Sequence, residues 1–145
     1  MRTLFLCTVL CLTISVQAQT QRDSLAYKLG LALEGAYDDR DSGLFEEVFN
    51  DSIFLSHFLL GHMVNKDIEA VNREFYVANF PKVFFKEISQ LIDQGHYYTF
   101  INYSMDDYGK YYLRFRLFGE AGLNYHEYYL EFAEDNSYFI SDIYI

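Results

Sequence analysis

The chain reads as an α+β domain, with N-terminal helices packed on one face of a four-stranded, curved antiparallel meander. Three observations predict this. Up to Gly95 the apolar residues recur at helical spacing. Beyond it they alternate in runs rich in tyrosine, phenylalanine and isoleucine. Those later runs are joined by turns too short for a crossover, which forces neighbouring strands antiparallel. Helices first and a sheet afterwards is the α+β order.

Residues 1–18 read as a secretory signal. Arg2 supplies the positive start, Thr3 to Val16 a short apolar stretch, and Val16-Gln17-Ala18 the small-residue cleavage site. The stretch is too short for a stable membrane span. Leu6 precedes Cys7 and Leu10 precedes Cys11, where a lipoprotein signal would place a small residue. The expected product is a single domain over residues 19–145, cleaved after Ala18 and exported to the periplasm or beyond the cell. Both cysteines leave with the signal, so the domain depends on its core without disulfides.

Ser24 is placed to cap a first helix with a stripe at Leu25, Leu29, Ala32, Leu33 and Ala36. Asp38-Asp39-Arg40-Asp41 interrupts it, and Ser42 starts a short second helix carrying Leu44, Phe45, Val48 and Phe49. Ile53 to Val64 is apolar without a clean period. A third helix is expected to begin near Asn79, with Pro81 in its first turn and Phe84, Phe85, Ile88, Leu91 and Ile92 on its buried face. Gly95 is its natural stop.

Four strands follow: His96–Met105, Lys110–Phe118, Leu123–Ala133 and Ser137–Ile145. Pairing Gly119 with Gly122 sets Phe115 opposite His126 and Arg114 opposite Glu127; pairing Glu134 with Ser137 sets Tyr129 opposite Asp142. One face then holds Leu113, Phe115, Leu117, Leu130, Phe132, Phe139, Ile143 and Ile145 and forms the core. The other holds Tyr112, Arg114, Arg116, Tyr125, Glu127, Tyr129, Glu131, Asp142 and Tyr144.

Composition narrows the functional classes. A chain of 145 residues suits one domain, and 51% apolar with 19% aromatic residues allows an ordered core. A formal charge of -10 argues against a nucleic-acid partner, which needs clustered lysine and arginine. Two cysteines exclude a disulfide scaffold, and the pattern excludes a polytopic membrane protein.

The helical start and long meander resemble the nuclear transport factor 2-like, or cystatin-like, α+β superfamily. Gly122-Leu123-Asn124-Tyr125-His126-Glu127 with Ser141-Asp142-Ile143-Tyr144 looks like a group of exported bacterial domains of unassigned function, some fused to tetratricopeptide repeats. The resemblance implies a fold, often with a pocket between helices and sheet, and a Gram-negative source. It implies no activity.

Two constellations carry the functional expectations. Asn124, His126, Tyr128 and Ser141 fall on the core face, where they either line a small-molecule pocket or satisfy one another as a core network. Arg114, Arg116, Glu127 and Asp142 lie among Tyr112, Tyr125, Tyr129 and Tyr144, as a partner or homodimer surface or as ordinary cross-strand pairs. No residue is assigned a catalytic role and no cofactor is expected. No metal site is expected either: His57 and His62 miss helical zinc spacing, and Asp39, Asp41 and Gly43 misplace the glycine of a calcium loop. The expected function is an exported, non-catalytic binding or self-association domain. The alternative is a small-molecule pocket, with or without catalysis, between helices and sheet.

Overall fold

The computed structural model describes residues 2–50, 52–54, 70–120, 122–133 and 137–145, with side chains at all of these except 2–16 and 70–78. Among the described residues, the helices α1 (Arg2–Asp39), α2 (Gly43–Val48) and α3 (Ala70–Asp93) precede four strands. These are β1 (Tyr97–Met105), β2 (Tyr111–Gly119), β3 (Gly122–Phe132) and β4 (Tyr138–Tyr144). They form one open antiparallel sheet in the order β1-β2-β3-β4. The α+β arrangement and the meander are those expected. Among the described residues, no helix is long and apolar enough to cross a membrane.

The helices depart from expectation in start and rotation. α1 runs unbroken through Ser24, so that residue caps nothing. Its buried stripe is Ala26, Leu29, Gly30, Leu33 and Tyr37, and Ala32 is exposed. The rotation follows from two contacts: Tyr37 enters the core fully, and Gly30 lies against the Phe100 ring of β1. A Cβ on Gly30 would meet that ring at 2.3 Å, an approach only glycine permits.

Arg40, at φ 60, reverses the chain after α1, and the Asp41 N–H donates to the Ala36 carbonyl at 2.9 Å. Its guanidinium donates to the Tyr37 carbonyl and to Asp93 Oδ1 at 2.8 and 2.9 Å, joining the ends of α1 and α3. Ser42 precedes α2 as expected, yet its hydroxyl donates to Glu46 Oε1 at 2.6 Å and caps no backbone N–H.

Pro81 lies inside α3, which starts at Ala70 and not near Asn79. Ring contacts on both sides of the proline hold the helix through it: Phe80 on Phe54 at 4.6 Å and Phe84 on Phe45 at 6.1 Å. Phe84, Phe85 and Ile88 are buried as expected. At the helix end Gly95 has φ +92, with its N–H on the Ile92 carbonyl and that of His96 on the Leu91 carbonyl. Of the ambiguous Ile53 to Val64 stretch, residues 53 and 54 are helical and Phe54 is buried; the remainder, with His57 and His62, lies outside the described residues.

The β2–β3 register is the expected one from Gly119↔Gly122 to Leu113↔Tyr128. β3 and β4 agree at Tyr129↔Asp142 and Tyr128↔Ile143, then shift by one residue. A bulge at Ser141 brings Ile140 opposite Leu130 and fully into the core. Phe139, expected inside, is therefore half-buried opposite Glu131, and Ile145 is 76% exposed beyond the last pair.

Candidate functional site

The inward face of β3 meets α1 and β1 in a chain of buried polar groups. Tyr37, from the last turn of α1, lies with its hydroxyl 3.0 Å from that of Tyr128. The Tyr128 hydroxyl is 2.6 Å from that of Tyr98, which is 3.0 Å from His126 Nδ1. Rings pack closely around these groups: Phe85 stacks on Tyr37 at 4.3 Å, Phe115 on Tyr98 at 5.2 Å, and Phe84 lies 5.6 Å from the His126 ring.

Burial sets the chemistry of this chain. It raises Tyr37, Tyr98 and Tyr128 well above the usual phenol range. It lowers His126 from 6.5 to about 4, because removal from water penalises the charged imidazolium. All four groups are neutral at neutral pH. One orientation satisfies the three bonds in series: Tyr37 donates to Tyr128, Tyr128 to Tyr98, and Tyr98 to His126 Nδ1. At 3% exposure His126 presents no accessible base to a substrate.

Of the four expected pocket residues, the structure brings only His126 and Tyr128 together. Asn124 shares their side of the strand but lies at the exposed rim beside Leu91 and His96, its Oδ1 accepting from the Tyr125 N–H at 2.9 Å. Ser141 is buried, yet as the bulge residue it donates to the Tyr129 carbonyl at 3.4 Å and borders a groove on the outer face. Tyr37 and Tyr98 complete the network and are not among the expected residues. Tyr37 was reachable by extending a stripe through Ala26, Leu29 and Leu33 by one more turn; Tyr98 carried no signal beyond its strand alternation.

The outer face carries the second constellation. Arg114 donates from Nε and Nη2 to Glu127 Oε1 at 3.0 and 2.6 Å, and from Nη2 to the Tyr112 hydroxyl at 3.1 Å. Tyr112 stacks on Tyr129 at 5.5 Å, and Tyr129 meets Tyr144 edge-on at 5.2 Å. Arg116 and Asp142 stand apart from this pair. Arg116 is opposite Tyr125 in a groove with Tyr97, Phe118 and Leu123, while Asp142 lies by Tyr144 with Oδ1 accepting from the Ile143 N–H. Tyr97, Phe118 and Leu123 extend the apolar surface beyond the expected residues.

Among the described residues, no group of three or more histidine, cysteine or acidic side chains could hold a metal ion. Asp41 instead binds the Gly43 N–H through Oδ1 at 2.9 Å. No protein family, curated protein or solved structure matches this chain.

Proposed function

We propose that this is an exported, non-catalytic domain that binds a protein partner, or a second copy of itself, through the outer face of the sheet. One observation carries the reading: Tyr97, Phe118, Leu123, Tyr125 and Tyr144 are 69, 51, 55, 45 and 56% exposed on a sheet face that also presents Arg114 and Arg116. Contiguous exposed apolar surface rimmed by polar groups marks interaction sites, and tyrosine and arginine are the residues that dominate them. The tight ring packing around His126 favours this face over a pocket beneath the sheet. Kinship with the nuclear transport factor 2-like superfamily belongs to the same proposal, supported by the helices-then-meander order. Export is supported by the charge, apolar length and cleavage pattern of residues 1–18.

The experiment is sedimentation over a range of concentrations, using product recovered from the cell envelope or medium. Mass spectrometry of that product should read a start at Gln19; a retained Met1 in cytoplasmic protein defeats the export reading. The wild type should self-associate, and Arg114→Glu with Arg116→Glu should weaken the assembly by setting like charges near Glu127. A wild type that stays monomeric at every concentration rules out the homodimer.

A further inference from the structure

We propose that the groove at the β4 edge of the outer face binds an alkylammonium cation, held by the rings of Tyr108, Tyr129 and Tyr144 and the carboxylates of Asp106 and Asp142. This goes beyond a protein-docking face and shares Tyr144 with the exposed residues that carry that reading. The groove is open to solvent and offers about 440 Å³, within the range of small-ligand sites. Its wall joins three tyrosine rings and two carboxylates with Ser141 and Lys110. Rings and carboxylates together recognise organic cations, since ring faces carry negative charge density and carboxylates supply the counter-ion.

The parts are positioned by the fold. Tyr129 and Tyr144 are neighbours on β3 and β4, with ring centroids 5.2 Å apart at 65°, so they form a corner. Tyr108 projects from the β1–β2 turn and is 93% exposed. That turn is fixed because Asp106 Oδ1 accepts from both the Tyr108 and Lys110 N–H groups at 2.9 Å. The bulge at Ser141 alters the local course of β4 where it borders the groove.

Acidic groups act on both rings of the corner. Tyr129 is held above the usual phenol range by burial and then by Glu127 and Asp106, and Tyr144 by burial and then by Asp142. Of the neighbouring cations, Lys110 lines the groove with Nζ 3.5 Å from Glu131 Oε1, and Arg114 is bonded to Glu127 outside it. The formal charge of -10 draws cations toward the molecule as a whole.

The shared chemistry is a primary or quaternary ammonium on an alkyl stem, borne by a free small molecule or by a lysine or methylated lysine of a protein. Calorimetry on the full chain with choline, against its uncharged isostere 3,3-dimethylbutanol, tests the charge requirement. Choline should bind and the alcohol should not. Tyr108→Ala, which leaves the backbone bonds of the turn in place, should weaken choline by roughly two- to fivefold, the contribution of one exposed ring. Asp142→Asn should weaken it at least as much, whereas Arg116→Ala, in the far groove, should not weaken it. A trimethyl-lysine peptide that binds more tightly than choline identifies a protein-borne cation, and equal affinity a free one. Equal binding of choline and the alcohol, no heat at millimolar choline, or indifference to both Tyr108→Ala and Asp142→Asn overturns the proposal.

Discussion

Acid should destabilise this domain through His126. The imidazole is 3% exposed, bonded at Nδ1 to the Tyr98 hydroxyl and flanked by the Phe84 and Tyr98 rings. Burial lowers it from 6.5 to about 4. In the unfolded chain the same group takes up a proton below its ordinary value, while the folded state stays neutral until about 4. Its contribution is therefore complete above 6.5, shrinks as pH falls, and is lost near 4. A shift of that size corresponds to about 3 kcal/mol, a large share of the ~5–15 kcal/mol that ordinarily holds a domain together. Urea unfolding of the wild type and His126→Phe at about pH 7.5 and about pH 4.5 isolates the effect, with an expected excess loss of ~2–3 kcal/mol in the wild type. Phenylalanine keeps a ring in place and leaves Tyr98 bonded to Tyr128. Glu34, raised chiefly by burial, titrates with the opposite sign but is common to both proteins and cancels. Equal acid losses in the two proteins would refute the buried, neutral histidine.

Tyr128 shares its hydroxyl between two bonds, so Tyr128→Phe should cost ~2–3 kcal/mol where Tyr37→Phe, which removes one, costs ~1 kcal/mol. The double variant should lose less than the sum, because the first change already orphans the second group. Strict additivity of the urea midpoints, or equal single losses, would contradict the series arrangement. Gly30→Ala tests the contact between α1 and β1: alanine favours a helix by ~1 kcal/mol, yet its Cβ would meet the Phe100 ring. A net loss of ~1–3 kcal/mol should follow from overpacking, and a raised melting temperature would show that the two elements can separate.

The sheet was legible in the sequence because its charged residues fall on one parity. Arg114, Arg116, Glu127 and Glu131 alternate with Leu113, Phe115, Tyr128 and Leu130, and burying any of those charges would cost several kcal/mol, roughly. Two glycines at the β2–β3 turn then fixed the pairing. The Ser141 bulge was not legible, since Ile140 and Phe139 are both apolar and either could face inward. The helices were harder for a related reason. In α1 several small or apolar residues compete for the stripe, and the contact that decides its rotation, Gly30 against Phe100, joins residues seventy apart in the chain. Pro81 misled because an aromatic packing layer, invisible to local propensity, carries α3 through it.

The candidate sites lie beyond that limit for a reason built into the tyrosines. Tyr97-Tyr98, Tyr111-Tyr112 and Tyr128-Tyr129 are adjacent pairs in strands, so alternation sends one ring of each inward and one outward. The inward member must find a partner for its hydroxyl: Tyr98 and Tyr128 bond each other, and Tyr111 donates to Asp23 of α1 at 2.7 Å. The outward member keeps a wet hydroxyl and offers a ring, as Tyr112 and Tyr129 do in their stack. Because tyrosine tolerates both faces, the pairs carry no register of their own, and the same residue type builds a closed network inside and a receptive surface outside. In β2 and β3, which tyrosine does which is decided by the arginines and glutamates that share their strands. The outer face is thus a consequence of the register that buries His126, and a one-residue slip would exchange the core network for the surface.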